Sequence, residues 1–310
     1  MMAKANTWYL CLVLLALCAG CNTEDDDAPG GVPEKEFYAS IMVNGQERTY
    51  FVHLPEGYGE DREYPLLFMM HGGGRLGYEG VAAQSQMSQL SDREKFILVY
   101  PEGVETLGFR TWNAGNCCPG ATLLNTDDVG FIMDLLDTLE QTLGVDGKRV
   151  YAAGFSNGGQ MAYRLANEHP DRFAAVGAVA GVLQDFPFEP ERNVPIIHFH
   201  SYQDTTAPYN GGPSDAPNID LIFPSVEETM AIMADHYNCP DPVELVFSAQ
   251  DGYDHFRYGP CDGGAEIEWY VSRDGGHSWP GGQSLPSVEM STQFSASDLM
   301  WSFFERHQLP

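Results

Sequence analysis

The run Tyr151-Ala-Ala-Gly154-Phe-Ser156-Asn157-Gly158-Gly159-Gln-Met-Ala-Tyr-Arg-Leu165 constrains the fold more than any other, because it reads as a strand, a Gly-x-Ser-x-Gly turn and a helix. Glycines two positions either side of Ser156 let the backbone reverse sharply without a side-chain clash at the bend. A serine on such a bend stands exposed above a sheet. Its oxygen lies at the N-terminus of the helix expected over 157–169, where free N–H groups and the helix dipole favour developing negative charge. Ser156 is therefore the candidate nucleophile, and the N–H of Asn157 a candidate oxyanion donor. An ordinary glycine-rich turn is the alternative that the motif alone leaves open.

The surrounding pattern decides what kind of sheet this is. Apolar runs at 66–70 and 96–100 suit strands buried on both faces, and 173–180, 195–200 and 266–272 continue the series. Helical stretches are expected at 80–94, 127–143, 226–237 and 295–307. Asn44-Gly45 between 37–43 and 46–54 predicts an opening hairpin. No repeat is visible, so the alternation predicts one α/β domain over 36–310, a mostly parallel sheet with helices on both faces. With 310 residues, 43% hydrophobic and 19% charged, the chain can bury a real core. Its formal net charge of −28 repels a nucleic acid over most of the surface, and a neutral or weakly charged substrate fits better.

The first residues stand apart. Lys4, an apolar run at 8–19 and Leu17-Cys18-Ala19-Gly20-Cys21 resemble a bacterial lipoprotein signal at 1–20, with cleavage before Cys21 leaving that cysteine to carry lipid. The apolar run is too short for an ordinary spanning helix, so the only membrane contact expected is the lipid anchor. An acidic, Pro/Gly-rich tether at 21–35 follows, and its Glu24-Asp25-Asp26-Asp27 block resembles signals that place lipoproteins on the outer face of the outer membrane. A plain solvated linker is the other reading of that block.

A serine nucleophile needs a base and an orienting carboxylate, which in this fold class follow it in the order acid, then histidine. Among the nine histidines, His277 lies in Asp274-Gly275-Gly276-His277-Ser278-Trp279-Pro280-Gly281-Gly282, a glycine-rich loop just after a predicted strand. Asp204 follows the strand ending at His200, at the edge where ligand-facing loops of an open α/β sheet gather. Asp185, Asp220 and Asp251 are loop acids without that placement. His198 and His200 alternate on a strand and could suggest a metal pair, but no third ligand has matching spacing. His71-Gly72-Gly73-Gly74, directly after the 66–70 strand, matches the glycine-rich oxyanion loops of lipases and esterases, which makes Gly73 the second donor.

At this point the residues carry a family resemblance. The blocks 70–74, Trp112-Asn-Ala-Gly-Asn-Cys117-Cys118, Asp127-Asp128-Val-Gly-Phe-Ile132, Gly154-Phe-Ser-Asn-Gly-Gly159, 204–212 and Gly276-His-Ser-Trp-Pro-Gly281 together resemble the polyhydroxybutyrate depolymerase and feruloyl esterase group of α/β-hydrolases. The resemblance implies an exported serine esterase related to the first carbohydrate esterase family, with Ser156, Asp204 and His277 as its triad and no metal or organic cofactor. Feruloyl or acetyl esters on plant cell-wall polysaccharide are the expected substrates, with polyester cleavage as the alternative. A glycan-binding surface lipoprotein that kept the fold without catalysis is the alternative of another class.

Trp112 and Trp279 sit in or beside these blocks and would form an aromatic wall for substrate, or else anchor their loops in the core. Of the seven cysteines, Cys11, Cys18 and Cys21 belong to the leader, leaving Cys117, Cys118, Cys239 and Cys261. Cys239 and Cys261 are the expected disulfide in an oxidising compartment. The adjacent Cys117 and Cys118 could pair with each other or elsewhere, since four cysteines allow three connectivities.

Overall fold

A computed structural model describes residues 34–310 apart from 185, 218, 241, 242, 249–251 and 284–288. Cys21, the leader and the tether up to residue 33 lie outside the described residues. The elements in chain order are β1 (Glu36–Val43), β2 (Gln46–His53), β3 (Tyr64–Met70), α1 (Tyr78–Ser85), α2 (Met87–Glu94), β4 (Ile97–Pro101), β5 (Val104–Thr106), β6 (Phe109–Thr111), α3 (Asp128–Thr142) and β7 (Val145–Phe155). They continue with α4 (Asn157–Glu168), β8 (Ala175–Val179), β9 (Ile196–Ser201), β10 (Gly212–Pro213), β11 (Ile222–Phe223), α5 (Val226–His236), β12 (Glu244–Ser248), β13 (Tyr253–Tyr258), β14 (Ile267–Ser272) and α6 (Ala296–Phe304).

Ten strands form one sheet in the order β1-β2-β4-β3-β7-β8-β9-β14-β13-β12. Pairings from β4 across to β14 are parallel, and antiparallel strands close both edges. This is the α/β-hydrolase fold. The two-residue strand period explains why β3 reads as unbroken apolar sequence. Leu66, Phe68 and Met70 enter a core shared with α3, α4 and α5, while Leu67 and Met69 enter one on the other face with α1, α2 and α6. The expected hairpin is present, with Val43 opposite Gln46 across Asn44-Gly45.

Two expectations change. The helix predicted over 80–94 is broken at Gln86, which takes a left-handed φ of 53° between α1 and α2. The last carbonyls of α1 serve tertiary partners instead: Gln84 accepts from the Gln283 N–H (2.9 Å) and Ser85 from the Ser297 hydroxyl (2.7 Å). Those bonds tie the chain beyond His277 and the start of α6 to the break. The β12–β13 hairpin is an addition to the predicted elements, because β12 is exposed along its whole length and lacks an alternating pattern.

Candidate active site

Ser156 sits at φ 52°, ψ −118°, between the end of β7 and the first turn of α4. A serine in this backbone region is strained by roughly 1–3 kcal/mol, and the surrounding packing must hold it there. The flanking glycines supply the packing. A Cβ on Gly154 would lie 2.3 Å from the Gly158 carbonyl carbon, and one on Gly158 would lie 2.3 Å from the Met70 oxygen and 2.5 Å from that of His71. The motif therefore presses the bend against the end of β3, where the His71–Gly74 loop begins.

Two further loops bring their side chains to Ser156. The His277 Nε2 is 2.9 Å from the Ser156 hydroxyl, and its Nδ1 is 2.7 Å from Asp204 Oδ2. The other carboxylate oxygen, Oδ1, accepts from the N–H groups of Thr206 and Ala207, both at 2.9 Å. Burial pushes the Asp204 carboxyl up, but the neighbouring His277, by charge and by hydrogen bond, outweighs it and holds the group below the ordinary carboxylate value. Asp220 is exposed and has no part in this arrangement, and Asp185 and Asp251 lie outside the described residues.

Gly73 lines the same cavity as Ser156 and His277, and a Cβ built on it would be 3.9 Å from the Cβ of Asn157. Among the described residues, no hydrogen bond engages the N–H of Gly73 or of Asn157, whereas Gly74 is tied to Arg110. Two donors are thus left open beside the hydroxyl. The side chain of Asn157 has a different task. It accepts from the Trp112 N–H (2.7 Å) and donates to the carbonyls of Trp112 (3.2 Å) and Cys117 (3.0 Å), clamping the 112–118 loop to the elbow. Asp128, in a buried ion pair with Arg48, holds the same loop through the Asn113 N–H.

The aromatic wall is not where the sequence suggested. Trp112 and Trp279 are both 0% exposed and line no part of the cavity. Trp112 donates to the His71 carbonyl at 2.8 Å, and Trp279 to the Ser297 hydroxyl at 2.9 Å. Each indole buries its area and satisfies its N–H inside, which makes it a loop anchor. The cavity, about 720 Å³, is walled instead by Leu107, Phe109, Leu123, Leu124, Phe155 and Ile219. Its contributing loops have no periodic pattern, so sequence reasoning had no signal for them. Cys118 also lines it, disulfide-bonded to Cys117, and the expected Cys239–Cys261 bond is present.

The His71 ring fixes the glycine loop from below. Its Nδ1 donates to the Gly72 carbonyl (2.7 Å) and its Nε2 accepts from the Gly103 N–H (2.9 Å), a pattern only the neutral imidazole can satisfy. Burial drives this imidazole down from 6.5 to about 4. Burial also lowers His198 and His200. At these imidazoles the unfolded chain binds more protons than the folded one below pH 6.5, so their contribution to stability falls as pH drops, for His71 between about 6.5 and 4. At pH 5, His71 alone should cost about 2 kcal/mol relative to neutrality. Urea unfolding at pH 7 and pH 5 checks this, and equal midpoints would contradict it.

Residues 41–211 match the family model described as "Putative esterase". The protein named "Putative esterase NocK" of Nocardia uniformis subsp. tsuyamanensis is 33% identical over 85% of this chain and 80% of its own length. Feruloyl esterase B of Piromyces equi is 28% identical over 74% of this chain, which spans only 42% of that longer protein. An acetyl xylan esterase from Aspergillus awamori has the same fold, with a TM-score of 0.59 at 16% identity over 87% of this chain and 99% of that one.

Proposed function

Since the chain belongs to this esterase family and is a carboxylic ester hydrolase, we propose that it works through an acyl-enzyme on Ser156, with feruloyl or acetyl esters of plant cell-wall polysaccharide as substrates. The observation that carries the reading is the unbroken line Ser156–His277–Asp204 at the base of an apolar cavity. His277 takes the serine proton as the hydroxyl attacks the ester carbonyl and returns it to the leaving alcohol, while Asp204 holds the Nδ1–H tautomer. The N–H groups of Gly73 and Asn157 receive the oxyanion. Water, activated by the same imidazole, then releases the acid.

Between the two acyl groups, the cavity favours feruloyl. Its walls are apolar and its volume far exceeds an acetyl group, so an aromatic ring would gain burial that acetyl cannot. A panel of methyl ferulate, acetylated xylan and a polyhydroxyalkanoate film tests this. Burying the ring contributes about 1.5–3 kcal/mol, so kcat/KM on methyl ferulate should exceed that for xylan acetyl groups by about tenfold or more. Leu107 and Leu123 are 95% and 81% exposed at the cavity, and such a rim would also seat on a hydrophobic polymer. Faster release from the film than from methyl ferulate would transfer the assignment to polyester.

Export to an oxidising compartment fits the two disulfides. Anchoring of Cys21 in the outer membrane, facing the exterior, is part of the same proposal, and fractionation of cells expressing the full chain tests it.

A further inference from the structure

Behind the carboxylate lies a buried chain of rings that the chemistry above does not use. His198 and His200 point from β9 to the same side, with His198 Nε2 3.0 Å from His200 Nδ1. The far end of His198, Nδ1, meets the Tyr163 hydroxyl of α4 at 2.7 Å. The near end of His200, Nε2, is 2.7 Å from the Ala207 carbonyl and 3.4 Å from Asp204 Oδ2. Every ring nitrogen is engaged, so the two rings have no free electron pair for a metal ion, and this bonding sets aside the metal pair that their spacing on the strand could suggest.

One carbonyl polarises the whole chain. A carbonyl only accepts, so His200 must carry its proton on Nε2 to donate to Ala207. Both imidazoles are 1% exposed or less, and burial keeps them neutral. His200 Nδ1 is then an acceptor, His198 donates to it from Nε2, and Tyr163 donates to His198 Nδ1. Among the described residues, the titratable groups that meet this chain are Tyr163 from α4, Tyr237 at the end of α5, Asp204 and Tyr209 from the loop after β9, and His277 from the loop after β14.

We propose that His200, its tautomer set by the Ala207 carbonyl and its ring braced by His198 and Tyr163, is a positioning residue for Asp204. It acts on both carboxylate oxygens. It pins Ala207, whose own N–H bonds Oδ1, and the Nε2–H it donates to that carbonyl sits with its positive end near Oδ2, the oxygen that faces His277, at an Nε2–Oδ2 distance of 3.4 Å. With that dipole removed, Asp204 becomes more basic, holds the protonated form of its imidazole partner more tightly, and is freer to rotate. The inference rests on the proposed role of Asp204 as the orienting acid.

The test is the pH profile of kcat/KM on a short p-nitrophenyl ester for His200→Phe, His200→Gln and Tyr163→Phe. His200→Phe should lower kcat about 10- to 100-fold with KM within about twofold, and move the acid limb to higher pH. His200→Gln, whose amide N–H can reach the Ala207 carbonyl, should recover most of the rate. Tyr163→Phe keeps the packing but leaves the buried His198 Nδ1 without its donor, which loosens the row behind His200, and should lower kcat about two- to fivefold with the acid limb moving the same way. If His200→Phe does not fold, Tyr163→Phe decides. An unmoved acid limb in a folded, active variant, with only thermal stability lost, would overturn the positioning role while leaving the esterase reading intact. An inactive wild type would instead remove the reading beneath it.

Discussion

Replacing Ser156 with alanine is expected to lower kcat on a short p-nitrophenyl ester by about 10⁵- to 10⁶-fold, the scale on which removal of a serine nucleophile acts. No other hydroxyl is within hydrogen-bonding distance of His277 Nε2 among the described residues, so no neighbour can replace the oxygen. The fold should survive. Alanine has no more difficulty than serine at φ 52°, and the hydroxyl's bond to the imidazole is its only side-chain hydrogen bond among the described residues. Covalent labelling by a fluorophosphonate reads the same chemistry directly: wild type labels, and Ser156→Ala does not. A wild-type chain that binds glycan but neither labels nor hydrolyses would instead be a surface binding protein that kept an esterase scaffold.

The second large effect is expected from Asp204→Asn, about 10⁴-fold in kcat with little change in KM. The direction follows from the two N–H groups at Oδ1. Thr206 and Ala207 both donate there, so the amide oxygen of asparagine must occupy that position and the amide nitrogen must face His277. Facing a donor, Nδ1 has to accept, which moves the imidazole proton to Nε2, the atom that should take the proton of Ser156. Shape and polarity are nearly unchanged, so circular dichroism and the unfolding midpoint separate this loss from misfolding. An Asp204→Asn enzyme within tenfold of wild type would show that another carboxylate orients the base.

Much of this site was legible because its signals are local or ordinal. Gly154 and Gly158 announce a close backbone approach, Asn44-Gly45 announces a turn, and the order of Ser156, Asp204 and His277 along the chain needs no coordinates. The apolar runs revealed the sheet because strands buried on both faces have no solvent side to mark with polar residues. The break at Gln86 was hidden, since its cause is a pair of donors, from Gln283 and Ser297, about two hundred residues along the chain. Trp112 and Trp279 misled for a related reason. A tryptophan near a site motif has the same letters whether its ring faces substrate or core, and only the position of a partner for its N–H decides which.

By itself, then, the sequence determined the fold class, the sharp bend at Ser156 and the identity of the groups gathered around it, because those follow from backbone sterics and chain order. The tertiary structure alone decided which faces those groups present: that Leu107, Leu123 and Leu124 rather than the tryptophans wall the cavity, that Asn157 clamps a distant loop, and that His198 and His200 form one polarised chain behind Asp204. Each of these depends on hydrogen bonds and contacts between segments far apart in sequence, where direction and distance are set by the packing of whole elements and leave no mark on local composition.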